Sequence, residues 1–181
     1  MKIKAYGYSI ALLLMAGLVL HAENSATQIE KKSEKIGVYD SRAIAIAFTG
    51  SDIYKKQMDP LMAEFDKAKA AGDQKRIEEL KTEGANRQKL RHKQGFSTAP
   101  VDDILENIKN ELLEIEKKEG FSVIISKWDK GALSKHPKAE LVDVTMMLVD
   151  AFHPSEKQRK SAIEIQKHDP ISLEQADKIN D

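Results

Sequence analysis

"KIGVYDSRAIAIAF", residues 35–48, decides what kind of fold this chain can adopt. Lys35–Asp40 reads as a short strand, because its β-branched and aromatic side chains suit a pleated, half-buried surface. Asp40 or Ser41 then offers a side-chain oxygen to a free N–H of a following first turn. Arg42–Phe48 is apolar and reads as a helix rather than as an extension of the strand. Thr49, Gly50 and Ser51 interrupt it. A strand that feeds a capped helix, in a chain of 181 residues, points to one α+β domain with appendages.

Upstream of this stretch, Lys2 and Lys4 precede the apolar run "SIALLLMAGLVL" (Ser9–Leu20), and "HAEN" follows. A basic start, an apolar run too short to span a bilayer as a helix and a small residue at Ala22 predict a secretory signal peptide over residues 1–22. Leu20 makes an imperfect −3 position for cleavage after Ala22. Residues 23–34 are polar and unpatterned, a tether in front of the domain.

Downstream, Tyr54, Met58, Leu61, Met62 and Phe65 recur at three- and four-residue steps, a thin apolar stripe on a charged rod. Pro60 inside the rod should bend it or restart it. "AAGD" (Ala70–Asp73) supplies a turn glycine and a capping Asp. A second charged helix over about Gln74–Gln94 follows, with apolar contacts at Ile77, Leu80, Ala85 and Leu90. Two such helices joined by a tight turn describe an antiparallel helical hairpin over residues 51–94. In the bend "HKQGFSTAP" (His92–Pro100), Gly95 is expected as a left-handed cap, Thr98 as the cap of the next helix and Pro100 in its first turn. Phe96 either staples onto Ile104 or Leu105 or makes an exposed contact. Val101–Lys118 is then one amphipathic helix ended by Gly120. "FSVIIS" (Phe121–Ser126) is the best strand of the chain. A loop around Gly131 and Pro137 leads to a short strand at Glu140–Val142 and a helix over Val144–Phe152. The last residues, 153–181, read as a polar tail with weak helices.

Composition narrows the function. Charged residues make up 32% and aromatics 6%, with formal net charge zero and no cysteine. The balance does not call for nucleic acid. Disulfides, thiolate metal sites and Cys nucleophiles are excluded. The motifs of dinucleotide, phosphate and zinc-hydrolase sites and of serine hydrolases are absent. His92, His136, His153 and His168 are spaced as no local metal motif is, and the His168–Asp169 pair lies on the polar tail. Asp102 and Asp103, adjacent and about 100° apart on a helix, answer the dipole of a first turn. Neither cofactor nor metal nor catalysis is expected.

The element order over residues 35–152 resembles the Skp (OmpH-like) periplasmic chaperone family. "KIGVYDSRAIAIAF" is similar to its opening strand and turn, "ILENIKNELLEIEKKEGFSVIIS" to its returning helix and strand, and "GALSKHPKAELVDVTMMLVDAF" to its closing segment. The resemblance implies a periplasmic trimer whose small sheet is completed between subunits. It also implies a hairpin arm (51–94), a returning segment with closing helix (101–152), and unfolded outer-membrane proteins as clients. The arms here are shorter and less basic than the family's, so a holdase for smaller segments and a scaffold that docks one defined partner both fit. Candidate client or partner contacts are Met58, Met62 and Phe65, which equally read as the hairpin seam, together with Phe96, Arg87, Arg91 and Lys93. The basic cluster Arg87–Lys93 reads either as a solvated helix end or as a contact for an acidic client or, peripherally, a membrane surface. Val38, Tyr39, Val123, Ile125, Trp128 and Leu141 are the candidates for core or subunit contact, with Trp128 at a rim or lining a pocket.

Overall fold

The computed structural model describes residues 33–176; the expected signal peptide and most of the expected tether lie outside them. The described chain is α+β, mostly helical around a small sheet. Strand β1 (Lys35–Tyr39) is central and pairs in parallel with β2 (Val123–Ser126) on one side and β3 (Glu140–Asp143) on the other. Parallel pairing requires long crossovers, and helices supply them. Gly37 sits in β1 where nothing larger fits. A Cβ there would lie 2.9 Å from Ile124 Cγ1 and 3.2 Å from Val144 Cγ2.

Helix α1 (Ser41–Thr49) begins as expected, with the Asp40 carboxylate accepting from Arg42 N–H at 3.1 Å. Its residues are apolar almost all round, the pattern of a helix enclosed on every side. The Phe48 ring meets Tyr54 and Phe152 edge-on. Helix α7 (Thr145–Ala151) adds Leu148 and Val149 to the same core, and the buried Ile104, Ile108 and Phe121 complete it.

Helix α2 (Asp52–Ala71), capped by Ser51, continues through Pro60 without restarting. Gly72 is left-handed (φ 68°) and Asp73 caps α3 (Gln74–Gly95), so the turn between them is made as the residues predict. Ala68, Ile77 and Leu80 form a separate small cluster, with Leu61 and Phe65 against it. It ends there: Ala85 and Leu90 are exposed, because α3 has no apolar neighbour to offer them beyond Leu80.

Three local expectations are corrected. Gly95 remains helical, and the left-handed residue is Ser97 (φ 61°). Ser97 N–H donates to Gln94 O at 3.1 Å and Thr98 N–H to Lys93 O at 2.9 Å, the paired bonds that close a helix C-terminus. Thr98 therefore caps α3 from behind, its hydroxyl also donating to Lys93 O, and Pro100 lies ahead of the next helix rather than in it. The expected helix over 101–118 is broken into α4 (Asp102–Leu105), a 3₁₀ turn (Glu106–Ile108) and α5 (Lys109–Glu119), with Ile108 off helical geometry at φ −124°, ψ 29°. Ile104 and Ile108 both remain in the core across the break.

The segment after Phe152 is also more than a polar tail. Ser155 caps α8 (Glu156–Ile165), and this helix lies on α1 with Ala162 fully buried. The contact is close enough that a Cβ on Gly50 would fall 2.1 Å from Gln158 Cγ. Single small residues such as Ala162 and Gly50 carry little hydropathy, so the docking leaves no periodic signal. Short helices α6 (Lys130–Leu133) and α9 (Leu173–Ala176) complete the element order.

Candidate functional site

All three strands run the same way, so their carboxyl ends share one edge of the sheet, the place where open parallel sheets hold ligands. The residues leaving that edge bond to one another. Asp40 N–H donates to Thr145 Oγ1 at 2.9 Å, Lys127 N–H to Tyr39 O at 2.8 Å, and Val144 N–H to Val38 O at 2.9 Å.

Asp40 is the hub. Its fully buried carboxylate accepts from Arg42 Nε at 3.0 Å and NH2 at 2.8 Å, and from Trp128 Nε1 at 3.1 Å. Lys127 Nζ lies 2.8 Å away. Burial alone would raise its pKa; the bonds from Arg42, Lys127 and Trp128 outweigh burial and hold it at about 2. The Trp128 ring in turn has the Arg42 guanidinium 4.9 Å and the Lys127 ammonium 4.8 Å from its centroid. A carboxylate so committed is a poor proton acceptor near neutrality. What it does is hold two cations and an indole in one place.

Beside this cluster is a cavity of about 440 Å³. Tyr39, Ile124, Ile125 and Ser126 form its floor, Trp128 and Asp129 one wall, and the bend Ser97–Asp102 the other. The Ser97 and Ser41 hydroxyls are 2.9 Å apart, tying that bend to the start of α1. Among the described residues no histidine lines the cavity. Tyr39 is buried, and burial with the charges of Asp102 and Asp129 pushes its phenol well above its ordinary pKa, so it stays protonated. The cavity is equipped for binding through hydroxyls, an aromatic wall and carboxylates.

A second polar knot fixes the base of α3. Buried Gln94 donates to Pro100 O at 2.8 Å and to Asp103 Oδ1 at 2.6 Å. Arg91 bonds Asp103 at 2.8 Å and lies 5.0 Å from the centroid of the Phe48 ring.

The candidate residues read from sequence fall into three groups. Met58 and Phe65 are half-buried on α2 and Met62 is 55% exposed; Phe65 belongs to the α2–α3 cluster. Arg87 pairs with Glu83 at 2.6 Å on the surface of α3. Arg91 is drawn into the base knot, and the Lys93 carbonyl into the cap. Phe96 meets the His92 ring edge-on. Around the sheet, Tyr39, Ile125 and Trp128 come together at the cavity. By register Ile125, which reaches the cavity only at the strand end, shares the face opposite Tyr39 with Val38, Val123 and Leu141; Leu141 is 54% exposed there. Among the described residues no group of His, Asp and Glu is placed to hold a metal ion, and no helix is long and apolar enough to cross a membrane.

Sequence reasoning gave Asp40 only the duty of a cap and missed Arg42, Ser41, Ser97 and Lys127. The one available signal was the D-S-R run at the end of a strand, where a buried carboxylate two residues before an arginine invites a pair. No family model, curated protein or solved structure matches the chain.

Proposed function

We propose that this chain is an exported binding protein without catalytic activity, which holds unfolded envelope or outer-membrane segments as a holdase. The observation that carries the reading is the separation of two apolar clusters. The body core closes around α1 and takes in Ile53 and Tyr54 at the start of α2, whereas the turn-side half of α2 and α3 has only its own small seam and leaves Met62 and Leu90 exposed at 55% and 40%. In this reading α2 and α3 form an antiparallel arm. Adaptable side chains such as Met62 exchange contacts with clients, and the surrounding charges keep the empty arm soluble. The sheet face bearing Val38, Val123 and Leu141 is the place where copies would associate, because three short strands cover little by themselves. The basic expected signal peptide and the family resemblance of residues 35–152 support export and client binding.

The test is dilution of a urea-unfolded outer-membrane protein into buffer with and without the mature chain, followed by light scattering. Slower aggregation, weakened by Met62→Ser with Leu90→Ser, is the expected result. A monomeric chain that leaves aggregation unchanged ends the reading. Capture of a single stoichiometric folded partner would replace it with a scaffold that docks that partner.

A further inference from the structure

The cavity at the carboxyl edge of the sheet is not needed by an arm that holds clients, yet its wall is built with care. The bend that closes it keeps Ser97 in a left-handed conformation, which a non-glycine residue adopts at a cost, and bonds it to Ser41. Among the described residues nothing hydrogen-bonds the Tyr39 hydroxyl, although Tyr39 is only 6% exposed and lines the cavity. The hydroxyl opens on the cavity, where a bound group can partner it.

Charge decides which group. Arg42 and Lys127 are spent on Asp40. Asp102 and Asp129, both exposed, line the cavity, and among the described residues neither has an ion-pair partner. One Asp129 oxygen takes the Ala132 N–H at 2.8 Å, leaving the other open. The open positions are therefore acceptors: carboxylate oxygens on two walls, and the lone pairs of the phenol between them. A ligand that fits must bring several donors and positive charge. An ammonium does both, with three N–H groups on a compact cation.

We propose that this cavity binds an organic ammonium group, with Asp102 and Asp129 neutralising it and the Tyr39 hydroxyl accepting one of its hydrogen bonds. A free diamine and a lysine side chain of a bound polypeptide present the same chemistry. The volume lies within the range of small-ligand sites.

Calorimetric titration of the full chain tests this, using 1,4-diaminobutane, its neutral counterpart 1,4-butanediol, and a short uncharged peptide bearing one lysine. The diamine or the lysyl peptide is expected to bind and the diol not; the tighter of the two names the source. Asp102→Asn with Asp129→Asn should weaken binding at least tenfold, and Tyr39→Phe about tenfold, since the phenol accepts one hydrogen bond from a charged donor. Amide spectra of each variant establish that the body is intact. Equal binding of diol and diamine, retention of full affinity in the double Asn variant, or no binding of either amine overturns the proposal. None of these results depends on whether the chain slows aggregation.

Discussion

Helix α1 buries seven of its nine residues, whereas α2 buries one of its twenty. Both are helices of one chain, and both begin on a side-chain cap, yet they are stable for different reasons. Helix α1 has no polar face and exists because α3, α7 and α8 surround it. Helices α2 and α3 rely on caps, on backbone bonds and on surface pairs such as Arg76 with Glu64 and Glu79, both at 2.8 Å. Exposed pairs contribute little. The comparison teaches that the body unfolds as one unit, while the α2–α3 pair opens locally at lower cost.

The largest effect should come from the hub of the body. Asp40→Ala leaves the Arg42 guanidinium, 2% exposed, without its counter-charge, and such a loss costs about 3–5 kcal/mol. Urea unfolding followed by Trp128 fluorescence measures it; a change below about 1 kcal/mol would dissolve the contrast between the two regions. Acid acts on the same group. The Asp40 carboxyl sits at about 2 when folded, below its ordinary 3.8. Its stabilisation is thus complete above the unfolded value and is lost as pH falls from about 4 to about 2, worth roughly 2 kcal/mol. Hydrogen exchange should show α1 losing protection through that window more steeply than α2 and α3.

Gly50→Ala sharpens the comparison from another side. The added methyl meets the Gln158 side chain, which must turn away or carry α8 with it, at about 1–3 kcal/mol, with the loss of protection concentrated in α8 and α1. Arg87→Ala on α3 is the smallest. It removes an exposed pair with Glu83 and should move the denaturation midpoint by less than about 0.5 kcal/mol. A larger shift would mean that the α2–α3 surface is braced in a way its burial does not indicate.

What was legible in the residues follows the same division. The strand at Lys35, the Asp40 cap, the Gly72–Asp73 turn and the strand at Val123 depend on neighbours in sequence, and each is where the pattern put it. Ser97 was hidden by Gly95, since the glycine two positions earlier is the better left-handed residue taken alone; the turn is set by where Gln94 must stay buried. The break at Glu106–Ile108 is invisible in a periodicity that runs straight through it. Trp128 was legible as a rim or pocket residue, but its bond to Asp40 joins residues 88 positions apart, and no local pattern carries such a pairing. Asp102 was read as a helix-end charge, and its place beside Tyr39 became visible only once the bend had folded against the sheet.

The central position of β1 sets the order in which the chain can fold. Emerging first from the ribosome, β1 has no hydrogen-bonding strand until the segment around Ser122, 87 residues later, bonds to Lys35. Its other edge waits for β3, whose Glu140 pairs with Lys35. In that interval α2 and α3 can form from local contacts, whereas the sheet must pay the entropy of closing two long loops. For most of its synthesis the polypeptide therefore displays a finished helical segment attached to an unmade body, with an apolar strand kept open for partners that have not yet been translated.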